Sequence, residues 1–135
     1  MKIKGIIASG KRKSSKATAT ITEGKGKVTI NKVPYTALPK LRRLYIEEPI
    51  NIAMETLGNN NYDVSVIARG GGKESQTEAA RLAIARAIVK FSKSEALKRA
   101  YLTYDKALLV ADVRRKEAYK PGDSKARTKR QKSYR

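Results

Sequence analysis

The chain has no cysteine, no histidine and no tryptophan among its 135 residues. Without cysteine and histidine there are no disulfides, thiolate nucleophiles or imidazole bases, and most transition-metal sites are excluded. No catalytic residue, cofactor or metal is expected. Long apolar runs are also missing. Near the start, "MKIKGIIASGKRKSS" offers only Ile6, Ile7 and Ala8, too short for a signal peptide. Nothing approaches the roughly 20 residues of a membrane span, so a soluble cytoplasmic protein with no membrane partner is expected. Negative charge is scarce as well. Twelve Asp and Glu face 31 Lys and Arg, which leaves +19 at neutral pH and a pI near 10.3. A body this charged repels itself and calls for a polyanion: nucleic acid, an anionic surface or an acidic protein.

The positive charge is unevenly placed. Residues 2–16 carry six cations and no acid, and residues 113–135 carry ten against Glu117 and Asp123. The 96 residues between them hold fifteen bases and ten acids, an ordinary globular balance. The length suits one modest domain plus a tail. The expected division is a globular body over 1–112 and an extended basic tail over 113–135. From 116 onward Val, Ile, Leu, Met, Phe and Trp are all absent, and Pro121–Gly122 would interrupt a helix. An amphipathic membrane helix is thereby disfavoured. Gln131, Ser133 and Tyr134 interleave the last cations with groups that hydrogen-bond or stack, which suits RNA. A merely solubilising tail or a localisation signal is the plainer alternative.

The middle carries the core. "KATATITEGKGKVTIN" alternates, with Ala17, Ala19 and Ile21 on one face and Thr18, Thr20 and Thr22 on the other. Val28 and Ile30 resume after Gly24–Gly26, which predicts two antiparallel strands joined as a hairpin. "ALPKLRRLYIEEPINIAMETLG" predicts two helical pieces, started by Pro39 and Pro49. The first would turn Leu41, Leu44 and Tyr45 to the core; the second would turn in Ile50, Met54 and Leu57 before Gly58 stops it. Tyr62, Val64, Val66 and Ala68 mark a third strand, 62–68. Ser75 and Glu78 then have the spacing of a capping box opening a helix, whose apolar face gathers Leu82, Ile84, Ile88, Val89 and Phe91. Its other face holds Glu78, Arg81, Arg86 and Lys90. A short helix over 95–103, capped by Ser94, and a last strand over 107–111 complete a four-stranded α/β two-layer sandwich with helices on one face.

Between the third strand and its helix lies "RGGGKE". The phosphate-loop spacing G-x-x-x-x-G-K-[ST] is not met, because Glu74 follows Lys73 and no glycine stands five positions before Gly72. Gly70, Gly71 and Gly72, flanked by Arg69 and Lys73, instead offer bare N–H groups to a sugar–phosphate backbone. A plain tight turn fits the same residues equally well. Enzymatic chemistry finds no foothold: the acids are scattered, and the one adjacent pair, Glu47–Glu48, reads as charge at a helix N-terminus.

"ASGKRKSSKATATITEGKGKVTIN", "IEEPI", "VIARGGGKESQTEAARLAIARAIV", "LLVADVRRKEAYKPG" and "ARTKRQKSYR" together resemble the small-subunit ribosomal protein S-nine family, in its order and through nearly all of the chain. The QKSYR ending is similar to the archaeal branch. The resemblance implies a fold like the second domain of ribosomal protein S-five, with a left-handed βαβ crossover, against the usual right-handed rule. It implies a place in the head of the small subunit, among neighbouring ribosomal proteins and bound to small-subunit rRNA. By position, rRNA contacts fall to Lys11, Arg12, Lys13 and Lys16, to Arg69, Gly70, Gly71, Gly72 and Lys73, and to the tail. In the tail they are Arg114, Arg115, Lys116, Lys120, Lys125, Arg127, Lys129 and Arg130. Lys132, Ser133, Tyr134 and Arg135 would meet the anticodon stem-loop of peptidyl-site tRNA, a reach of up to about 65 Å for a fully extended tail. The chain departs from the pattern in "NKVPY" at 31–35, where a glycine commonly follows the asparagine. A free RNA-binding or RNA-chaperone protein outside the ribosome is the alternative.

Overall fold

Period-two alternation builds the sheet, because successive strand residues point to opposite faces. The computed structural model of the chain describes residues 5–59, 61–114 and 118. Its strands are β1 (Ile6–Arg12), β2 (Ser15–Glu23), β3 (Val28–Ile30), β4 (Val33–Pro34) and β5 (Tyr62–Arg69). Its helices are α1 (Lys40–Leu57), α2 (Lys73–Ser92) and α3 (Glu95–Tyr104), with 3-10 turns at Tyr35–Ala37 and Lys106–Leu108. The sheet order is β1-β2-β5-β3-β4. β2 is antiparallel to both β1 and β5, whereas β3 runs parallel to β5 through the α1 crossover. Ala8, Ala17, Ala19, Ile21, Val64, Val66 and Ala68 turn inward under the helices and are buried. Among the described residues, no helix is long and apolar enough to cross a membrane.

Five strands replace the expected four, and the expected hairpin of β2 with β3 does not form. β5 lies between them, pairing with β2 from Lys16↔Arg69 to Glu23↔Tyr62, a match of length that three-residue β3 could not offer. The chain is steered away at the bend by Asp63. Its carboxylate accepts the backbone N–H of Lys25 at 3.0 Å and of Lys27 at 2.9 Å, so residues 24–27 pass over the end of β5. β1 went unread because its inward residues are Ala8 and Gly10, which carry no apolar signature. The strand expected over 107–111 is instead the turn Lys106–Leu108, where the Asp105 carboxylate accepts the N–H of Ala107 at 2.9 Å.

α1 is one helix, not two. Pro39 precedes it and Pro49 sits inside it, buried, where the Tyr101 hydroxyl donates to the Pro49 carbonyl at 2.7 Å. Burial pushes the Tyr101 phenol well above its ordinary pKa, which keeps it a donor. A continuous helix places Ile46, Pro49, Ile50 and Ala53 on the core stripe. Leu41, Leu44, Tyr45 and Met54 consequently lie on the surface, contrary to the sequence pattern; Leu41 is 74% exposed. Glu47 and Glu48 fall in mid-helix rather than at a start and pair with Arg43 (3.5 Å) and Arg81 (2.5 Å). α2 begins at Lys73 with Gly72 at its cap and no side-chain cap, so Ser75 and Glu78 form no capping box. Gly58 ends α1, and Ser94 caps α3 by accepting the N–H of Leu97 at 3.2 Å, both as the sequence indicates.

α2 packs closely on β1. A Cβ at Gly10 would stand 2.4 Å from the Ala79 carbonyl oxygen and 2.8 Å from the Ala83 nitrogen. Both are backbone atoms that cannot rotate aside. Gly10→Ala should therefore cost about 1–3 kcal/mol, more than a surface change would, as read from the midpoint of urea unfolding. At the β3–β4 loop, Asn31 and Lys32 have φ of 50° and 67°, the left-handed geometry a two-residue hairpin requires. Lysine is strained there and glycine is not. Lys32→Gly should raise stability by roughly 0.5–1 kcal/mol in the same measurement.

Candidate nucleic-acid interface

Register brings three cations into one line. Lys11 on β1 pairs with Lys16 on β2, and Lys16 pairs with Arg69 on β5. Their chain neighbours Gly10, Ala17 and Ala68 point to the helices, so the three cations stand on the opposite, open face, and all are exposed. With strands about 4.8 Å apart, the row crosses the sheet over roughly 10 Å. Exposed Lys13, in the β1–β2 turn, and exposed Lys73, opening α2, lie at the same end. Among the described residues, no ion pair or hydrogen bond engages the side chains of these five cations.

Arg12 follows the other parity. It points to the helix side, where it pairs with Glu78 at 2.5 Å and with Asp112. Asp112 also holds Arg114 at 2.7 Å, and Arg114 keeps this carboxyl far below the usual range, with Arg12 adding to the effect. Arg12 and Arg114, both expected on rRNA, are thus joined in an internal network at the root of the tail. α2 turns its remaining cations to partners within the chain in the same way. Arg81 bridges Glu48 and Asp105, while Arg86 donates to the carbonyls of Leu109 and Ser9 at 3.0 Å each. Lys90 reaches the Ile7 carbonyl at 3.4 Å, so two α2 cations cover the outer edge of β1.

The glycine turn divides. Gly70 and Gly71 have φ of 75° and 61°, and a Cβ on either would strike Ser14 or Ser15 at 2.8 Å or less. The Ser15 hydroxyl donates to the Gly70 carbonyl at 2.8 Å, and Gln76 donates to it at 3.0 Å. These two glycines are required by packing inside the chain. Gly72 has nothing within 4 Å of a Cβ and faces open space beside Arg69 and Lys73. Arg115, Lys116, Lys120, Lys125, Arg127, Lys129, Arg130 and Lys132 to Arg135 lie outside the described residues.

The structure brings Lys11, Lys13, Lys16, Arg69 and Lys73 of the sequence-predicted residues to one end, whereas the face beside them is not assigned by the sequence pattern. Ile7, Ser9, Thr18, Thr20, Ser65 and Ile67 stand on it, and the Thr18–Thr20–Thr22 alternation was its one visible sign. At its far end is Asp63, whose carboxyl is held below the ordinary range by the amide of Lys27 first, with help from Lys25. Among the described residues, no group of three metal-ligating side chains is close enough to hold an ion.

A small, strongly basic α+β protein with a row of three exposed cations crossing one end of its sheet is the class this geometry defines. The sequence pattern of the family described as ribosomal protein S9/S16 matches residues 10–135. The chain is 45% identical to the small ribosomal subunit protein uS9 of Methanococcus vannielii, over 98% of this chain and 100% of that one. It is 46% identical to uS9 of Methanothrix thermoacetophila and 44% to that of Methanococcus maripaludis, with the same coverage. The chain belongs to the ribosomal protein S9 family, a structural family and not an enzymatic one, and these relatives are archaeal.

Both depressed carboxyls tie a loop or the tail root to the body. A carboxyl whose folded pKa is lowered stabilises fully above its unfolded value and loses that contribution as pH falls through the folded one. Asp63→Ala and Asp112→Ala should each be less stable than the parent at pH 7. The gap should close as pH drops below about 3.9, the unfolded aspartate value. Urea unfolding of the three proteins from pH 7 to pH 2 checks this.

Proposed function

We propose that the chain is a structural protein of the small ribosomal subunit, in the cytoplasm, seated in the subunit head among neighbouring ribosomal proteins and bound to small-subunit rRNA. The Lys11–Lys16–Arg69 row is the observation that carries the reading: three exposed cations in register form a site for closely spaced phosphates. Lys13, Lys73 and the bare Gly72 extend it. The body is residues 1–112, and its β3–α1–β5 crossover is taken to be left-handed, as in the second domain of ribosomal protein S-five. From 113 the cations of the tail continue along rRNA, and Lys132, Ser133, Tyr134 and Arg135 reach the anticodon stem-loop of the peptidyl-site tRNA.

At that end Arg135 supplies a planar guanidinium that grips two phosphate oxygens at once, which lysine cannot copy. Phosphate contacts position a tRNA without reading its sequence. Deleting Lys132–Arg135 should therefore speed the dissociation of every peptidyl-site tRNA by a similar factor while small subunits still assemble. Each charged hydrogen bond lost is worth about 1.5–3 kcal/mol at most. Off-rates of several tRNAs from programmed subunits, parent against truncation, are the test. Coincident rates, or a response from one tRNA alone, would rule out the tRNA contact.

A further inference from the structure

We propose that the open face of β1, β2 and β5 seats the wide, shallow minor groove of a double-helical RNA segment. Lys11, Lys16 and Arg69 line one phosphate strand, and the hydroxyls of Ser9, Thr18, Thr20 and Ser65 meet the ribose edges. The inference rests on the rRNA reading above and narrows it to a class of RNA structure and a surface.

No described element covers this face, and Ile7 and Ile67 on it are 61% and 52% exposed. Register arranges it in rows. Behind the cation row comes Ser9–Thr18–Ile67, and behind that Ile7–Thr20–Ser65, with Thr29 of β3 alongside. Two rows of hydroxyls and methyls next to a row of cations match what an A-form minor groove displays: 2′-hydroxyls and base edges beside a phosphate ridge. The charge is complementary in direction too. The cations stand at one end, while Asp63 at the other is engaged by backbone amides.

The same face argues against other occupants. Single-stranded RNA is held by stacking bases on aromatic rings. Here Tyr62 and Tyr101 are buried and Phe91 packs against the core, while Tyr35, Tyr45 and Tyr104 sit on helical segments. Among the described residues, no aromatic side chain stands on the open face. A protein partner would want an apolar centre free of charge, and two isoleucines among hydroxyls and three cations do not supply one. The DNA minor groove, about 6 Å wide, is too narrow for a three-strand surface and lacks the 2′-hydroxyl.

Fluorescence anisotropy of the full chain on a 16-base-pair RNA duplex, its DNA counterpart and the matching single strand reads the discrimination. Replacing Lys11, Lys16 and Arg69 together with Gln should weaken duplex RNA binding about tenfold or more and flatten the log–log salt slope by about two to three. Thr18→Val with Thr20→Val should weaken it about three- to tenfold, leave the slope unchanged and reduce the preference for RNA over DNA. Thermal melts should match the parent, because all five positions lie outside the buried core. Equal affinity for duplex RNA and duplex DNA, or unaltered binding by both variants, overturns the proposal.

The chain contains no cysteine, so Thr18→Cys creates a unique anchor for a tethered iron chelate in reconstituted small subunits. Radical cleavage should fall on both strands of one paired rRNA segment. Cuts confined to unpaired nucleotides, or crosslinking of the same anchor to a ribosomal protein, defeat the duplex assignment. Incorporation of the parent chain into subunits is scored in the same experiment. Incorporation without paired-strand cleavage removes only this inference, whereas failure to incorporate removes the ribosomal reading itself.

Discussion

The rest of the structure depends on the contact of α2 with β1 and β2. Gly10, Ala8, Ala17 and Ala19 face Ala79, Ala80, Ala83 and Ala87, small residues on both sides and all but Gly10 in the buried cluster. Such pairing lets backbone approach backbone at native packing density, with no large side chain to act as a spacer. One long helix can then lie across three strands, and the opposite face of the sheet is left bare. The larger buried groups, Ile46, Ile84, Ile88, Leu97 and Tyr101, gather where α1 and α3 complete the helical layer.

A sheet covered on one side sorts charge by parity. An even step along β1 takes Arg12 to the helix side, where Glu78 and Asp112 neutralise it; an odd step leaves Lys11 on the open side. Composition cannot distinguish the two, since they are adjacent cations in one basic run. The fold does so because a one-residue shift exchanges faces. α2 applies the same sorting to its own cations, sending Arg81 to carboxylates and Arg86 to carbonyl oxygens.

What could be read in the sequence follows from these physical causes. β2, β5 and α3 were legible because alternation and a serine cap are local signals that tertiary packing left alone. β1 was not, since its inward positions are small for the sake of α2, and smallness does not register as hydrophobic pattern. The two-helix reading of 39–57 assumed that proline breaks a helix, and the Tyr101 hydroxyl shows how a tertiary contact supports the chain at Pro49. The hairpin of β2 and β3 failed because a long strand, β5, competes for the same edge, which only three-dimensional pairing reveals. At the candidate site, the residue types were legible while their grouping was not. Gly70 and Gly71 serve the fold, Gly72 stays open, and Arg12 and Arg114 pair with acids of the same chain.

The internal ion pairs also explain why the basic end looks outward. Among the described acids, Glu47, Glu48, Glu78, Asp105 and Asp112 pair with arginines on the helical side, and Asp63 is held by amides. Glu23, Glu55 and Glu95 lie on β2's far end, α1 and α3. Glu74 lies in the first turn of α2, next to Lys73. Mutual repulsion at that end would be relieved by a bound polyanion, and a chain of +19 gains stability from any polyanion that binds the folded state better than the unfolded one. On the proposed reading, binding RNA and completing the fold would be two sides of one linkage: each phosphate placed on the Lys11–Lys16–Arg69 row would remove part of the repulsion among those cations.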